Sequence, residues 1–178
     1  MHKDYVVLDI ETTGLEAGKH RITEIAAVKV EDRKPVAEFS KLIRPYRRLA
    51  FDYLPKEITD LTGITMEMLG SGYHIEDTLS ELKAFMGDSV LLGHNLKRFD
   101  MGFLQADFRH FMDHALENEL VDSIEVAKAV LKQKNGNGLQ KLAKRLGIEA
   151  TGPAHRALAD CHTTHALYVK LNEMEQGS

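Results

Sequence analysis

Hydrophobic and polar positions follow two different periods along this chain, and each switch marks an element. Tyr5–Asp9 is an apolar run ending in a carboxylate, which reads as a buried strand. Arg21–Val30 sets Ile22, Ile25, Ala27 and Val30 in imperfect alternation, a second strand. Glu31–Pro35 is a polar turn, and Val36–Arg44 alternates well enough for a third strand. Strands joined this closely predict an antiparallel meander. After an irregular stretch from Pro45 to Leu54, Pro55 opens a short helix ending near Thr62-Gly63. Thr65 caps a second short helix through Leu69.

From Ile75 to Met86 the apolar residues Ile75, Leu79, Leu82, Phe85 and Met86 recur at helical spacing, and Gly87-Asp88 ends that helix. Ser89–Gly93 reads as a short buried strand, followed by His94-Asn95 and a helix through Phe99, Met101, Phe103, Leu104 and Phe108. Glu119–Ser123 is another short strand that passes into a helix from Ile124 to Leu131. Asn135–Gly138 is a flexible turn, Leu139–Leu146 a helix closed by Gly147, and a last helix runs from about His155 to Met174. Without repeats, low-complexity tracts or a linker, the whole of 1–178 is expected to be one domain with a core over about 5–172. A meander followed by alternating helices and strands fits an α/β fold, a mixed sheet with helices on both faces. Right-handed crossovers place the later strands parallel to the first, which becomes central.

Composition changes this picture little but limits the partners. The 178 residues are 43% hydrophobic and 28% charged with a net charge of −4, so no broad basic surface for nucleic acid or membrane is expected. A polyanionic substrate would have to be gripped locally. The single cysteine, Cys161, rules out an internal disulfide and suits a reducing cytoplasm. No apolar stretch nears the ~20 residues of a membrane span, and residues 1–10 lack a signal-peptide pattern.

The chemistry begins at Asp9-Ile10-Glu11. A strand repeats its side-chain direction every second residue, so Asp9 and Glu11 share a face. Two like charges on a central strand are costly unless a cation compensates them. Asp100, just past a buried strand, and His155 and Asp160, at the start of the last helix, are candidate partners. Taken singly, each has an ordinary reading, Asp100 as a carboxylate favoured by a helix N-terminus and the other two as solvated residues.

Together they form three ordered motifs. Asp9-Ile10-Glu11-Thr12-Thr13-Gly14 matches D-x-E-T-T-G, His94-Asn95 with Phe99-Asp100 matches H-N-x-x-F-D, and His155 with Asp160 matches H-x-x-x-x-D. The chain thus resembles the DnaQ-like 3′-5′ exonucleases of the DEDD superfamily, in the subgroup with a catalytic histidine. The resemblance is strongest to the proofreading exonuclease domains of PolC-type DNA polymerase III. It departs in one place: three residues, Leu96-Lys97-Arg98, stand where the pattern has two, read as an addition in the loop that leaves Phe99-Asp100 on the helix.

The resemblance implies a ribonuclease H-like fold and phosphodiester hydrolysis at DNA 3′ ends, releasing nucleoside 5′-monophosphates. It implies Asp9, Glu11, Asp100 and Asp160 as ligands of two divalent ions, Mg²⁺ or Mn²⁺, and His155 as general base. Four converging carboxylates would otherwise be driven to protonate, and oxygen ligands suit those hard cations. His155 and Asp160 are five apart, about 140° around a helix, so His155 is expected in the loop or first turn, as Gly152-Pro153 allows.

Thr12, Thr13, Gly14, His94 and Asn95 resemble positions around the terminal nucleotide. Leu15 and Phe99 either pack on its base or sugar or belong to the core. His155, His162 and His165 lack the thiolates and spacing of a structural zinc site. Lys132, Lys134, Lys141, Lys144 and Arg145 either touch a phosphate backbone or form a solvated face, and the same holds for Arg44, Arg47 and Arg48. The expected partner is a nucleic-acid 3′ end, single-stranded or frayed DNA, with a DNA polymerase beside it. An exoribonuclease and a non-catalytic polymerase-docking module are the alternatives.

Overall fold

The computed structural model describes residues 1–46, 54–149 and 151–177. Arg47, Arg48 and most of the stretch from Pro45 to Leu54 fall outside them. Five strands form one sheet: β1 (Tyr5–Thr12), β2 (Ile22–Glu31), β3 (Lys34–Leu42), β4 (Leu91–Gly93) and β5 (Leu120–Asp122), in the order β3-β2-β1-β4-β5. β1, β2 and β3 pair antiparallel, while β4 and β5 run parallel to β1, which is central. The α/β expectation holds in its strand order and directions.

Several boundaries differ from the expected ones, two of them for clear backbone reasons. The polar turn shrinks to Asp32-Arg33, both at positive φ (45° and 64°), a two-residue turn that matches strand twist and lets pairing run out to Glu31 and Lys34. Pro35 therefore lies inside β3, opposite Val30 at a register shift, which an edge strand tolerates. β1 likewise does not stop at Asp9, because β2 supplies partners as far as Thr12. A second register shift falls between Glu11 and Thr12. Such irregularities re-aim side chains, and this one sits at the carboxyl end of the central strand.

The seven helices are α1 (Lys56–Thr62), α2 (Met66–Gly70), α3 (Ile75–Met86), α4 (Asp100–Met112), α5 (Ser123–Leu131), α6 (Leu139–Leu146) and α7 (Ala157–Gln176). The pleat of β1 divides the core in two. Val6, Leu8 and Ile10 face α3 and α4, where Leu79, Leu82, Leu104 and Phe108 are fully buried. Tyr5 and Val7 face α7, packing with Ala157, Cys161 and Tyr168. Ala157 and Cys161 are small, so the start of α7 lies close on the sheet, with Cys161 Sγ 3.5 Å from the Ala26 carbonyl oxygen. That approach brings Asp160 to the end of β1 that carries Asp9 and Glu11. No helix of the described residues is long and apolar enough to cross a membrane.

Candidate active site

Asp9 and Glu11 continue the face of Tyr5 and Val7, and at their level the apolar layer gives way to carboxylates. Glu11 stands directly across from Glu24 on β2, a like-charge pair that a sheet disfavours. Arg156 relieves it. Its Nε and Nη2 donate to the buried Glu24 carboxylate at 3.1 and 2.8 Å, and the Ala157 N–H donates to the same group at 3.1 Å. These three bonds pin the chain at Arg156 and Ala157, directly after His155. His155 itself has φ 60°, outside the helix, as its separation from Asp160 requires. Its backbone N–H donates to Asp160 Oδ2 at 3.0 Å, and Gln140 Nε2 donates to Asp160 Oδ1 at 2.8 Å.

Asp100 opens α4 and is almost fully buried, with the Ile10 N–H donating to its Oδ1 at 3.1 Å. Phe99 precedes the helix instead of lying on it, contrary to the expectation for the added residue. The loop takes up that residue by placing Asn95 at φ 67° and turning Leu96 into the core, fully buried. Gly93 makes this possible, because a Cβ there would sit 2.8 Å from Leu96 Cβ and 2.9 Å from the Leu8 carbonyl oxygen. Asp122, ending β5, fixes the loop by accepting from the N–H groups of Asn95 (3.1 Å) and Lys97 (3.3 Å). His94 Nδ1 lies 2.8 Å from Ser123 Oγ, and burial pushes the imidazole pKa down.

Asp9, Glu11, His94, Asn95, Phe99, Asp100, His155 and Asp160 all line one cleft of about 690 Å³. Thr12, Thr13, Gly14 and Leu15 do not line it. Thr12 and Thr13 are buried, the Thr12 hydroxyl donating to the Gly14 carbonyl (2.6 Å) and the Thr13 N–H to the Arg21 carbonyl (2.9 Å). His20 packs where a Gly14 side chain would go, its ring lying over the Cβ position. Leu15 is 81% exposed, which removes its core reading, whereas Phe99 both lines the cleft and packs on Phe103 at 5.3 Å between ring centroids. Three contributors were not read from the sequence: Gln140, the cleft wall of Gly136, Asn137 and Gly138, and the Glu24–Arg156 clamp. A signal for the last existed, a lone glutamate inside the apolar run Ile22–Val30.

The cleft is an electrostatic problem. Burial, then the neighbouring carboxylates Asp100, Glu11 and Asp160, holds the Asp9 pKa well above the usual range. Burial, then Asp160 and Glu24, raises Glu11 to about 8, and burial raises Asp100 to about 7. Asp160 is also raised, first by burial, with the His155 N–H opposing. Arg156 draws Glu11 down but is already bonded to Glu24. Among the described residues none of Asp9, Glu11, Asp100 and Asp160 forms an ion pair with a lysine or arginine, and such a set of carboxylate oxygens fits a hard divalent metal. Ligand atoms of Glu11, His155 and Asp160 come within 4.8 Å of one another, close enough to hold an ion.

Carboxylates with raised folded pKa values bind more protons folded than unfolded between about pH 4 and pH 8. Stability is therefore present below about pH 4 and lost as pH rises through about 7 to 8. The melting temperature of chelator-treated protein should fall from about pH 5 to about pH 8. Excess Mn²⁺ should raise it more at the upper pH than at the lower. Differential scanning fluorimetry checks this; a metal-free melting temperature that rises over the same range would contradict it.

The sequence profile of the RNase T exonuclease family matches residues 6–168. The chain belongs to this exonuclease family. Among its relatives, the PolC-type DNA polymerase III of Staphylococcus saprophyticus is 36% identical over 167 residues, 94% of this chain and 11% of that one. The Staphylococcus haemolyticus PolC-type polymerase is 35% identical over the same length. This exonuclease thus spans 11% of the curated relatives it matches. Exonuclease X in complex with 5′ overhanging duplex DNA superposes with a TM-score of 0.76 at 26% identity, covering 97% of this chain and 93% of that one. A zinc-bound E. coli exonuclease I–single-stranded DNA complex reaches 0.79 at 21% identity, over 99% of this chain and 42% of that one, a likeness of fold alone. The ribonuclease H-like fold and the exonuclease family expected from the motifs both hold.

Proposed function

We propose that this exonuclease removes nucleotides from DNA 3′ ends, hydrolysing the terminal phosphodiester to release nucleoside 5′-monophosphates. The observation that carries the reading is the gathering of Asp9, Glu11, Asp100 and Asp160, with His155, in one cleft at the carboxyl end of β1. Those four carboxylates would hold two divalent ions, Mg²⁺ or Mn²⁺. When bound, such ions stabilise charge building on the scissile phosphate and on the attacking and leaving oxygens. His155 accepts a proton from the attacking water as general base. Its position comes from its own backbone bond to Asp160 and from the Glu24–Arg156 clamp beside it. Phe99, His94 and Asn95 form the wall for the terminal nucleotide. Leu15, exposed on the loop after β1, is free to lie against its base, and Thr12, Thr13 and Gly14 shape that turn.

DNA is favoured because the matched exonuclease X structure contains it. One exonuclease domain over about 5–172, working within or beside a DNA polymerase in proofreading or repair, is the setting the PolC-type relatives support. Matched DNA and RNA single strands, digested side by side in Mg²⁺, test the sugar preference. DNA should be trimmed at least about tenfold faster, a difference a 2′-hydroxyl contact can supply. Equal rates, or faster RNA trimming, would move the assignment to an exoribonuclease.

A further inference from the structure

The chain is acidic overall, yet one segment reverses sign completely. Between Glu125 and Glu149 there is no Asp or Glu, while Lys128, Lys132, Lys134, Lys141, Lys144 and Arg145 all fall there. The structure folds this segment into the end of α5, the turn before α6, and α6, against the mouth of the cleft. The wall residues Asn95, Gly136 and Asn137 are shared with a second groove of about 400 Å³, lined beyond them by Arg98, Lys128 and Lys134. Lys132 lies further along the same surface, in a depression with Lys128 and Lys134.

These cations are exposed, and among the described residues none of Arg98, Lys128, Lys132 or Lys134 has a carboxylate partner. The two acids beside them are engaged elsewhere: Glu125 pairs with Lys97 at 2.7 Å, and Asp122 accepts from the Asn95, Lys97 and Ile124 N–H groups. The turn carrying Lys134 is also held in shape. Asn137 accepts from Gln133 (2.9 Å) and donates to the Lys134 carbonyl (3.1 Å), and Arg145 donates to Gln133. Exposed cations at the end of α5, on the turn after it and at Arg98, around a groove that shares its wall with the cleft, match a run of phosphates.

We propose that this groove, with Arg98, Lys128, Lys132 and Lys134, is the track on which the polynucleotide backbone lies as it leaves the cleft. It grips the phosphates of nucleotides behind the one being removed. The proposal rests on the nucleic-acid reading of the cleft. It explains how a protein of net charge −4 holds a polyanion: the contact draws on the longest acid-free segment, with Arg98 beside it.

The test uses the triple variant Lys128→Gln, Lys132→Gln, Lys134→Gln. Binding of a fluorescein-labelled oligothymidylate of about 16 nucleotides is read by anisotropy in chelator, where nothing is hydrolysed, over a range of salt. Each phosphate contact to a single strand contributes about 0.7 to the slope of log K against log salt, so the variant's slope should be shallower by about 2. Its Kd should rise at least about fivefold near 0.1 M salt. An unchanged slope and Kd, or no binding by the parent protein, would overturn the track. Hydrolysis of the p-nitrophenyl ester of thymidine 5′-monophosphate by the parent protein in Mn²⁺, a substrate too short to reach the groove, reads the cleft alone. Failure of the track and failure of the nuclease reading are thereby distinguished.

Discussion

Asp9→Asn, Asp100→Asn and Asp160→Asn should each lower trimming of a 5′-labelled single strand by about a thousandfold or more. A ligand lost from a divalent site forfeits several kcal/mol of transition-state charge stabilisation, and each 1.4 kcal/mol is about tenfold in rate. The same substitutions remove a member of a buried like-charge group, in which burial and the neighbouring carboxylates hold the Asp9 pKa high. Asp9→Asn should therefore leave the fold intact and raise the melting temperature of metal-free protein near pH 8. Loss of activity together with gain of metal-free stability separates a functional carboxylate from a structural one. Trimming that survives all three substitutions would end the assignment.

His155→Ala should lower kcat by about 10²–10⁴, the range of a lost general base, while Mn²⁺ affinity stays within about twofold. The substitution is a clean probe, because the bond that ties the loop to Asp160 is made by the His155 backbone N–H and survives it. A second role is testable in the same experiment, since the ring lies within ligand distance of Glu11 and Asp160. Were His155 a ligand, Mn²⁺ affinity would fall at least about tenfold along with the rate. Single-turnover trimming beside a Mn²⁺ titration decides between them.

The sequence made most of the sheet legible because its strands are short and strongly apolar and its motifs mark the strand ends. Period-two spacing alone placed Asp9 and Glu11 on one face, and the offset of five alone kept His155 out of the helix that carries Asp160. What stayed hidden depends on contacts distant in sequence. Nothing local says that Glu24 meets Arg156, or that Gln140 reaches Asp160 from a different helix. Strand ends were hidden for a related reason. β1 reaches Thr12 only because β2 lies beside it, and the Asp32-Arg33 turn is tight only because both residues accept positive φ. The added residue before Phe99 was visible as a spacing change, but its resolution through Asn95, Leu96 and Gly93 needed the fold.

The acidic side chains around Asp9 should act only with cations between them, on a 3′ end. Chelator-stripped protein, incubated with a 5′-labelled DNA strand, should produce no products until Mg²⁺ or Mn²⁺ is added. With metal, a ladder shortening from the 3′ end should appear, together with free nucleoside 5′-monophosphates. An undiminished ladder in chelator, or an untouched strand in saturating metal, would contradict the claim.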